Sequence, residues 1–156
     1  MENVTLAQDW TKVAEIEIVY KSTVKPSERP LVKDSKAAYA LLMDKWDTSL
    51  IEIQEQFKVI LLNRASKALG LLNLSTGSKT HTVVDSGLIL ATAMKAGATA
   101  LLLSHNHPSG NLKPSRADLE VTQKLKMAAA YHDIRVTDHL IVTTEGYYSM
   151  AEEGDL

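Results

Sequence analysis

The sequence contains no cysteine. That excludes a disulfide scaffold, thiolate metal sites, a thiol nucleophile and iron–sulfur ligation, and it fits a reducing compartment. Charge of one sign is not in excess: 17 Lys and Arg stand against 19 Asp and Glu, a formal net charge of −2. Dedicated nucleic-acid binders usually carry a basic excess or stripe, so binding DNA through charge alone is not expected. No apolar stretch approaches the roughly 20 residues that span a bilayer. The best candidate, 88–104, is interrupted by Lys95 and Gly97. The N-terminus, Met1-Glu2-Asn3-Val4, lacks the charged-then-apolar plan of a signal peptide. Internal repeats and low-complexity segments are also missing. These absences leave a cytoplasmic protein without membrane contact as the expectation.

What is present is ordinary globular material. The 156 residues are 45% apolar and 23% charged, the usage of a folded domain. A chain of this length should bury about two-thirds of its unfolded surface. Residues 13–20 alternate apolar with polar and read as a strand; 21–34, with Pro26 and Pro30, read as a loop. Ser35 is a plausible N-cap for a helix over 35–47, on which Ala38, Leu41, Leu42 and Trp46 recur at helical spacing. Residues 57–62 form a short apolar run, and 68–75 are its hairpin partner after the turn at 63–66. Asp85 offers a second N-cap, for a helix that ends at Gly97. Residues 98–103 read as a central strand, Ser115 opens a third helix, and 134–142 return as a strand. Mixed elements in this order predict a sheet with helices packed on it. Residues 1–34 would be an extension and 35–156 the domain, with 152–156 a solvated tail.

The chemistry-bearing segment is His105-Asn106-His107, followed eleven residues later by Asp118. Side chains two apart on an extended chain share a face. Both imidazoles can therefore aim at one point near the end of a strand. The loop with Pro108, Gly110 and Pro114 can fold Asp118 back toward them. Two histidines and a carboxylate leave a fourth position free on a tetrahedral zinc, the plan of a catalytic rather than a structural site. Ser115-Arg116-Ala117-Asp118 also has a plainer explanation as a near capping box. A hydrolytic metal site needs a general base nearby. Glu52 and Glu55 precede the first central strand, and periodicity does not choose between them. His139 on the last strand could orient a ligand, but one ring hydrogen bond within the sheet is the preferred reading. Ser104 either bonds a ligand or ends its strand. His81 and His132 read as surface residues, and Trp10 and Trp46 as core or docking aromatics.

The run Ser104-His105-Asn106-His107-Pro108-Ser109-Gly110 followed by Ser115-x-x-Asp118 resembles the JAMM (MPN+) metalloprotease signature. Asn106 between the histidines and Pro108-Ser109-Gly110 after them resemble its RadC branch, over about 34–150 of the chain. The resemblance implies an α/β (α+β) fold, a curved mixed sheet flanked by helices and related to the cytidine-deaminase-like architecture. It implies one Zn2+ per chain, held by His105, His107 and Asp118. It makes Glu55 the general base ahead of Glu52, and gives Ser115 the stabilisation of an oxyanion. Full-length RadC proteins carry an N-terminal helix-hairpin-helix region, and only about 34 residues precede the match, so the chain looks like a short, stand-alone form. A deaminase reaction of the usual kind is excluded by the missing Cys-x-x-Cys. The leading expectation is zinc-dependent hydrolysis of a peptide or isopeptide bond, the substrate adding as an extended strand. A DNA-processing metal-dependent hydrolase and a catalytically silent interaction module are the alternatives. Substrate and oligomeric state are open.

Overall fold

Two runs of seven residues are buried along their whole length, and they form the middle of the sheet. They are β1 (Gln56–Leu62) and β3 (Ala100–Asn106). Continuous apolar strands of this kind need cover on both faces. The computed structural model describes residues 14–17, 19–76 and 84–156. In it, β1 and β3 lie antiparallel, flanked by β2 (Ala68–Thr76) on one side and by β4 (Arg135–Val142) and β5 (Tyr147–Ser149) on the other. The order is β2-β1-β3-β4-β5, with only the β3–β4 pair parallel. Helix α1 (Ser35–Lys45) covers one face, where Ala38, Leu42 and Trp46 meet Ile60, Leu62, Leu102 and Leu140. Helices α2 (Ser86–Ala96) and α3 (Arg116–Ala130) cover the other, packing Ile89, Ala93 and Leu125 against Phe57, Val59, Leu101 and Leu103. This is the mixed sheet flanked by helices that the sequence predicts. Among the described residues no helix is long and apolar enough to cross a membrane.

The helix ends follow local chemistry. Asp85 accepts from the Leu88 amide at 3.0 Å, and Gly97 closes α2 with a left-handed φ of 68°. For α1 the expected cap is one residue off. Asp34 accepts from Ala37 N at 2.7 Å and is the N-cap, and the helix ends at Lys45 rather than 47. Ser35 is instead the first helical residue. It is buried because its hydroxyl meets Tyr147 and the Glu152 carboxylate.

Three other expectations change. Residues 14–17, 19 and 20 form no strand: they lie exposed, Ile16 at 83%, with no neighbouring strand among the described residues to take up their backbone bonds. Tyr20 reaches β2 only through its hydroxyl, which donates to the Leu69 carbonyl at 2.9 Å. Val13 and Ile18 of that stretch, and Trp10 and His81, lie outside the described residues. Of the expected tail 152–156, Glu152, Glu153 and Gly154 are exposed, but the segment is held in place. It follows β5 into a short helix α4 (Met150–Glu153) that buries Met150, Tyr148 Oη donates to Asp155 Oδ2 at 2.6 Å, and Leu156 packs on the core. Finally, β3 runs three residues past the expected Leu103. Ser104, His105 and Asn106 are polar but find partners inside the sheet, so burying them is tolerated. Ser104 Oγ donates to the Lys58 carbonyl at 3.1 Å, which ties it to β1 rather than to a ligand.

An irregularity in β4 decides which side chains reach which layer. Along β3 and β4 the register passes from Leu101↔Val136 to Leu102↔Asp138, so Thr137 is an extra residue. Such a bulge flips the alternation beyond it. Val136 faces α2 and α3, Leu140 and Val142 face α1, and His139 sits beside Leu103. Asp138, 6% exposed, accepts from Ser149 Oγ at 2.6 Å and from Ala151 N at 3.0 Å, which pins α4 to the sheet. Asp138→Ala strands these buried donors and is expected to cost about 3 kcal/mol. Asp34→Ala removes an exposed cap and should cost about 1 kcal/mol. Urea unfolding of the two variants beside the wild type measures the difference, and equal losses would contradict the anchoring role of Asp138.

Candidate metal centre

The site lies where β3 ends. His105 is the sixth residue of β3 and buried, and its ring stacks parallel to Phe57 of β1. His107 follows the strand. Its side chain returns to the same face, as the two-residue alternation requires, while Asn106 points to the other. The chain then turns at Pro108-Ser109-Gly110, where Gly110 N donates to the His107 carbonyl at 2.9 Å and Gly110 takes a left-handed φ of 78°. Ser115 caps α3 and puts Asp118 on its first turn.

The three expected ligands meet at one point. His105 Nε2 lies 2.9 Å from His107 Nε2 and 3.2 Å from Asp118 Oδ1, and His107 Nε2 lies 3.4 Å from Asp118 Oδ2. Of the described residues, these three form the group of ligand-type side chains able to hold a metal ion. Ligand atoms on a tetrahedral zinc, at ~2.0–2.1 Å from the ion, stand roughly 3.3 Å apart, close to these separations. The donor chemistry fits as well. His107 Nδ1 is 2.5 Å from the Asn111 carbonyl, which can only accept, so Nδ1 carries the ring proton and Nε2 is left to face the site.

The electrostatics agree. The hydrogen bond to Asp118 raises the His107 pKa, against the effect of burial. Burial pushes the Asp118 carboxyl up, but the neighbouring His105 and His107 rings outweigh it and hold it well below the usual carboxylate range. The capping-box reading of Ser115 and Asp118 is also correct. Ser115 N and Oγ both donate to Asp118 Oδ2 at 2.7 Å, and Asp118 N donates to Ser115 Oγ at 3.2 Å. One carboxylate serves the helix end and the site together.

Glu55 and Glu52 separate. Glu55 lines a cavity of about 550 Å³ with Phe57, His105, His107, Ser115 and Asp118, and an adjoining one of about 330 Å³ with His107, Ser109 and Lys113. Its charge contributes to the raised pKa of His107. Glu52 lines a different cavity of about 280 Å³, which His107 also borders but His105 and Asp118 do not, and it accepts from Thr144 Oγ1 at 3.3 Å. What holds Glu55 there is Asn106. Its Oδ1 accepts from Gln56 N at 2.7 Å, and its Nδ2 donates to the carbonyls of Ile51 at 2.6 Å and Gln54 at 2.9 Å. The residue between the histidines thus clamps the segment that carries the carboxylate. The sequence offered a signal for this, since an amide between two same-face histidines must face the opposite side. His139 corrects the preferred reading: it makes two ring hydrogen bonds, one of them to His105 Nδ1 at 2.8 Å. A larger, more apolar groove of about 760 Å³ lies elsewhere, between β2 and α2, with no carboxylate or histidine lining it among the described residues.

A mixed-sheet α/β protein with a His-x-His and Asp group at the exit of a central strand is the class that fold and site define. The chain belongs to the RadC-like JAB domain family, which residues 32–155 match. It is 44% identical over 100 residues to a UPF0758 protein of Flavobacterium johnsoniae, covering 64% of this chain and 44% of that protein. It is 39% identical over 127 residues to one of Porphyromonas gingivalis, covering 81% and 55%. Against one of Gloeothece citriformis it is 33% identical over 153 residues, covering 96% and 61%. The chain spans about half the length of the curated relatives it matches.

The pKa directions give a pH prediction for chelator-treated protein. His107, raised above its ordinary 6.5, adds stability that is full below that value and lost as pH rises through the folded pKa. Asp118, lowered from 3.8, adds stability that is full above that value and lost as pH falls toward its folded pKa. The contribution of the pair is therefore largest between the two ordinary values. A divalent ion such as added zinc would have to displace the His107 proton to bind there, so its affinity should rise with pH through the His107 pKa. Thermal melts and chelator competition across pH measure both, and a pH-independent zinc affinity would contradict the proton's place at His107.

Proposed function

We propose that this domain is a zinc-dependent hydrolase of amide bonds, of peptide or isopeptide type. The observation that carries the reading is that Glu55, an acidic side chain with no place in the ligand set, lines the same cavity as His105, His107 and Asp118. His105, His107 and Asp118 would hold one Zn2+. When bound, zinc polarises a carbonyl and lowers the pKa of a water to about 7.

The chain's own residues supply the rest. Glu55 takes the proton of the attacking water and returns it to the leaving amine, the work of a general base that becomes a general acid. Its place on the segment clamped by Asn106 fixes its distance from the site without a bond to the carboxylate itself. Ser115 also lines the cavity. Its hydroxyl donates to Asp118 Oδ2, and turning it toward a substrate would offer a donor to the developing oxyanion. A peptide or protein segment is the proposed partner, and a cytoplasmic setting the proposed location.

The test is a panel of peptide, isopeptide and nucleic-acid substrates, run with wild type, Glu55→Gln and Glu52→Gln at equal zinc content. Glu55→Gln is expected to keep its zinc and lose about 10²–10⁴-fold in kcat. Glu52→Gln should stay close to the wild type, because its carboxylate is bonded to Thr144 and its cavity takes in His107 but neither His105 nor Asp118. Normal cleavage by Glu55→Gln would remove the base assignment. Metal-dependent cleavage confined to nucleic acid would replace the amide reading with phosphodiester hydrolysis.

A further inference from the structure

We infer that Thr122 and His139 are positioning residues that set the ring tautomer of His105, so that its bare nitrogen faces the metal position. The inference rests on the metal-holding role proposed for His105, His107 and Asp118. A single proton fixes the whole chain of donors. Thr122 Oγ1 lies 2.6 Å from the Asp118 carbonyl oxygen and 2.5 Å from His139 Nδ1. A carbonyl oxygen only accepts, so the one hydroxyl proton of Thr122 points at Asp118. His139 Nδ1 must then be the donor to Thr122, and His139 Nε2 is left as an acceptor. His139 Nε2 lies 2.8 Å from His105 Nδ1, which must therefore carry a proton. His105 Nε2 is left bare, 3.2 Å from Asp118 Oδ1 and 2.9 Å from His107 Nε2.

The relay begins and ends on Asp118, which supplies the carbonyl that orients Thr122 and the carboxylate that faces His105. Thr122 and His139 are fully buried, so water does not replace a missing partner. Phe57 stacks on His105 and meets the edge of His139 at a ring separation of 5.5 Å, which limits both rings to this orientation. Reversing the chain of donors would place a proton on His105 Nε2, where it would block a metal ion. Threonine hydroxyls on helices often bond the carbonyl four residues back with no further consequence. Here the same bond fixes a tautomer two side chains away.

The test uses the full chain in five forms: wild type, Thr122→Val, Thr122→Ser, His139→Gln and His105→Ala. Zinc affinity is read by chelator competition, and ring protonation by nitrogen-15 NMR of the metal-free imidazoles. Protonated Nδ1 is expected on His105 and His139 in the wild type. Thr122→Val should lose that pattern and about 10–100-fold in zinc affinity, His139→Gln should lose zinc affinity similarly, and Thr122→Ser should restore both readouts. A wild-type His139 protonated on Nε2 would overturn the inference, and so would wild-type zinc affinity in a folded Thr122→Val. If Thr122→Val does not fold, the wild-type NMR pattern alone decides. If the wild type binds no zinc while His105→Ala behaves identically, the metal reading fails, and the tautomer signals still report separately on the relay.

Discussion

Two imidazole nitrogens and a carboxylate oxygen crowd one point at the end of β3, and all three are acceptors. Such atoms repel one another unless a positive charge sits among them. A proton meets that need in one way, as the raised pKa of His107 shows, and a divalent ion meets it with more charge. Much of the surrounding structure serves to hold this electrostatically unfavourable meeting in place. The stacked Phe57, the capped end of α3 and the Asn111 carbonyl each take away a freedom by which the acceptors would otherwise separate.

The support is divided between the two faces of the sheet. On the α3 face, buried polar side chains satisfy one another in series and no water is needed among them. On the α1 face, Asn106 spends its carboxamide on main-chain groups of the connection between α1 and β1. Ligands thus come from the strand end and helix start, and the acidic residue beside them from a connection fixed through the sheet. On the proposed reading, this arrangement would separate metal holding from proton transfer, as suits a site whose base moves protons while its ligands stay still.

Much of this was legible in the sequence, for physical reasons that differ from residue to residue. The strand and helix order followed from periodicity and from caps such as Asp85 and Gly97. The His-x-His pattern announced itself because a strand alternates with period two. Other features depended on groups distant in the chain. Ser35 looked like a cap because serine usually is one; its burial beside Tyr147 and Glu152 comes from the opposite end of the molecule. The strand expected at 13–20 has the right alternation, but alternation shows only that a segment can pair. His139 could be read as a ligand-orienting residue, but its bond to His105 depends on the parallel pairing of β3 with β4, and Thr122 was not singled out at all. The spacing of Thr122, one turn beyond Asp118 on α3, was the available hint.

The extra residue in β4 gives that strand two phases, so that Val136 and His139, three apart, look toward the same layer. Thr137 Oγ1 donates to the Leu101 carbonyl at 3.1 Å, which ties the extra residue to β3 at the point where the phase slips. Drawing Thr137 into the ladder as a regular residue, with the start of the strand unmoved, would exchange the two sides beyond it. The imidazole would pass into the α1 layer, and the Asp138 carboxylate would turn toward α3. The pairing at one residue, as much as the identity of its neighbours, is therefore part of what builds the site. A slip in an outer loop changes the surface, whereas a slip of one residue here changes which side of the sheet the chemistry is on.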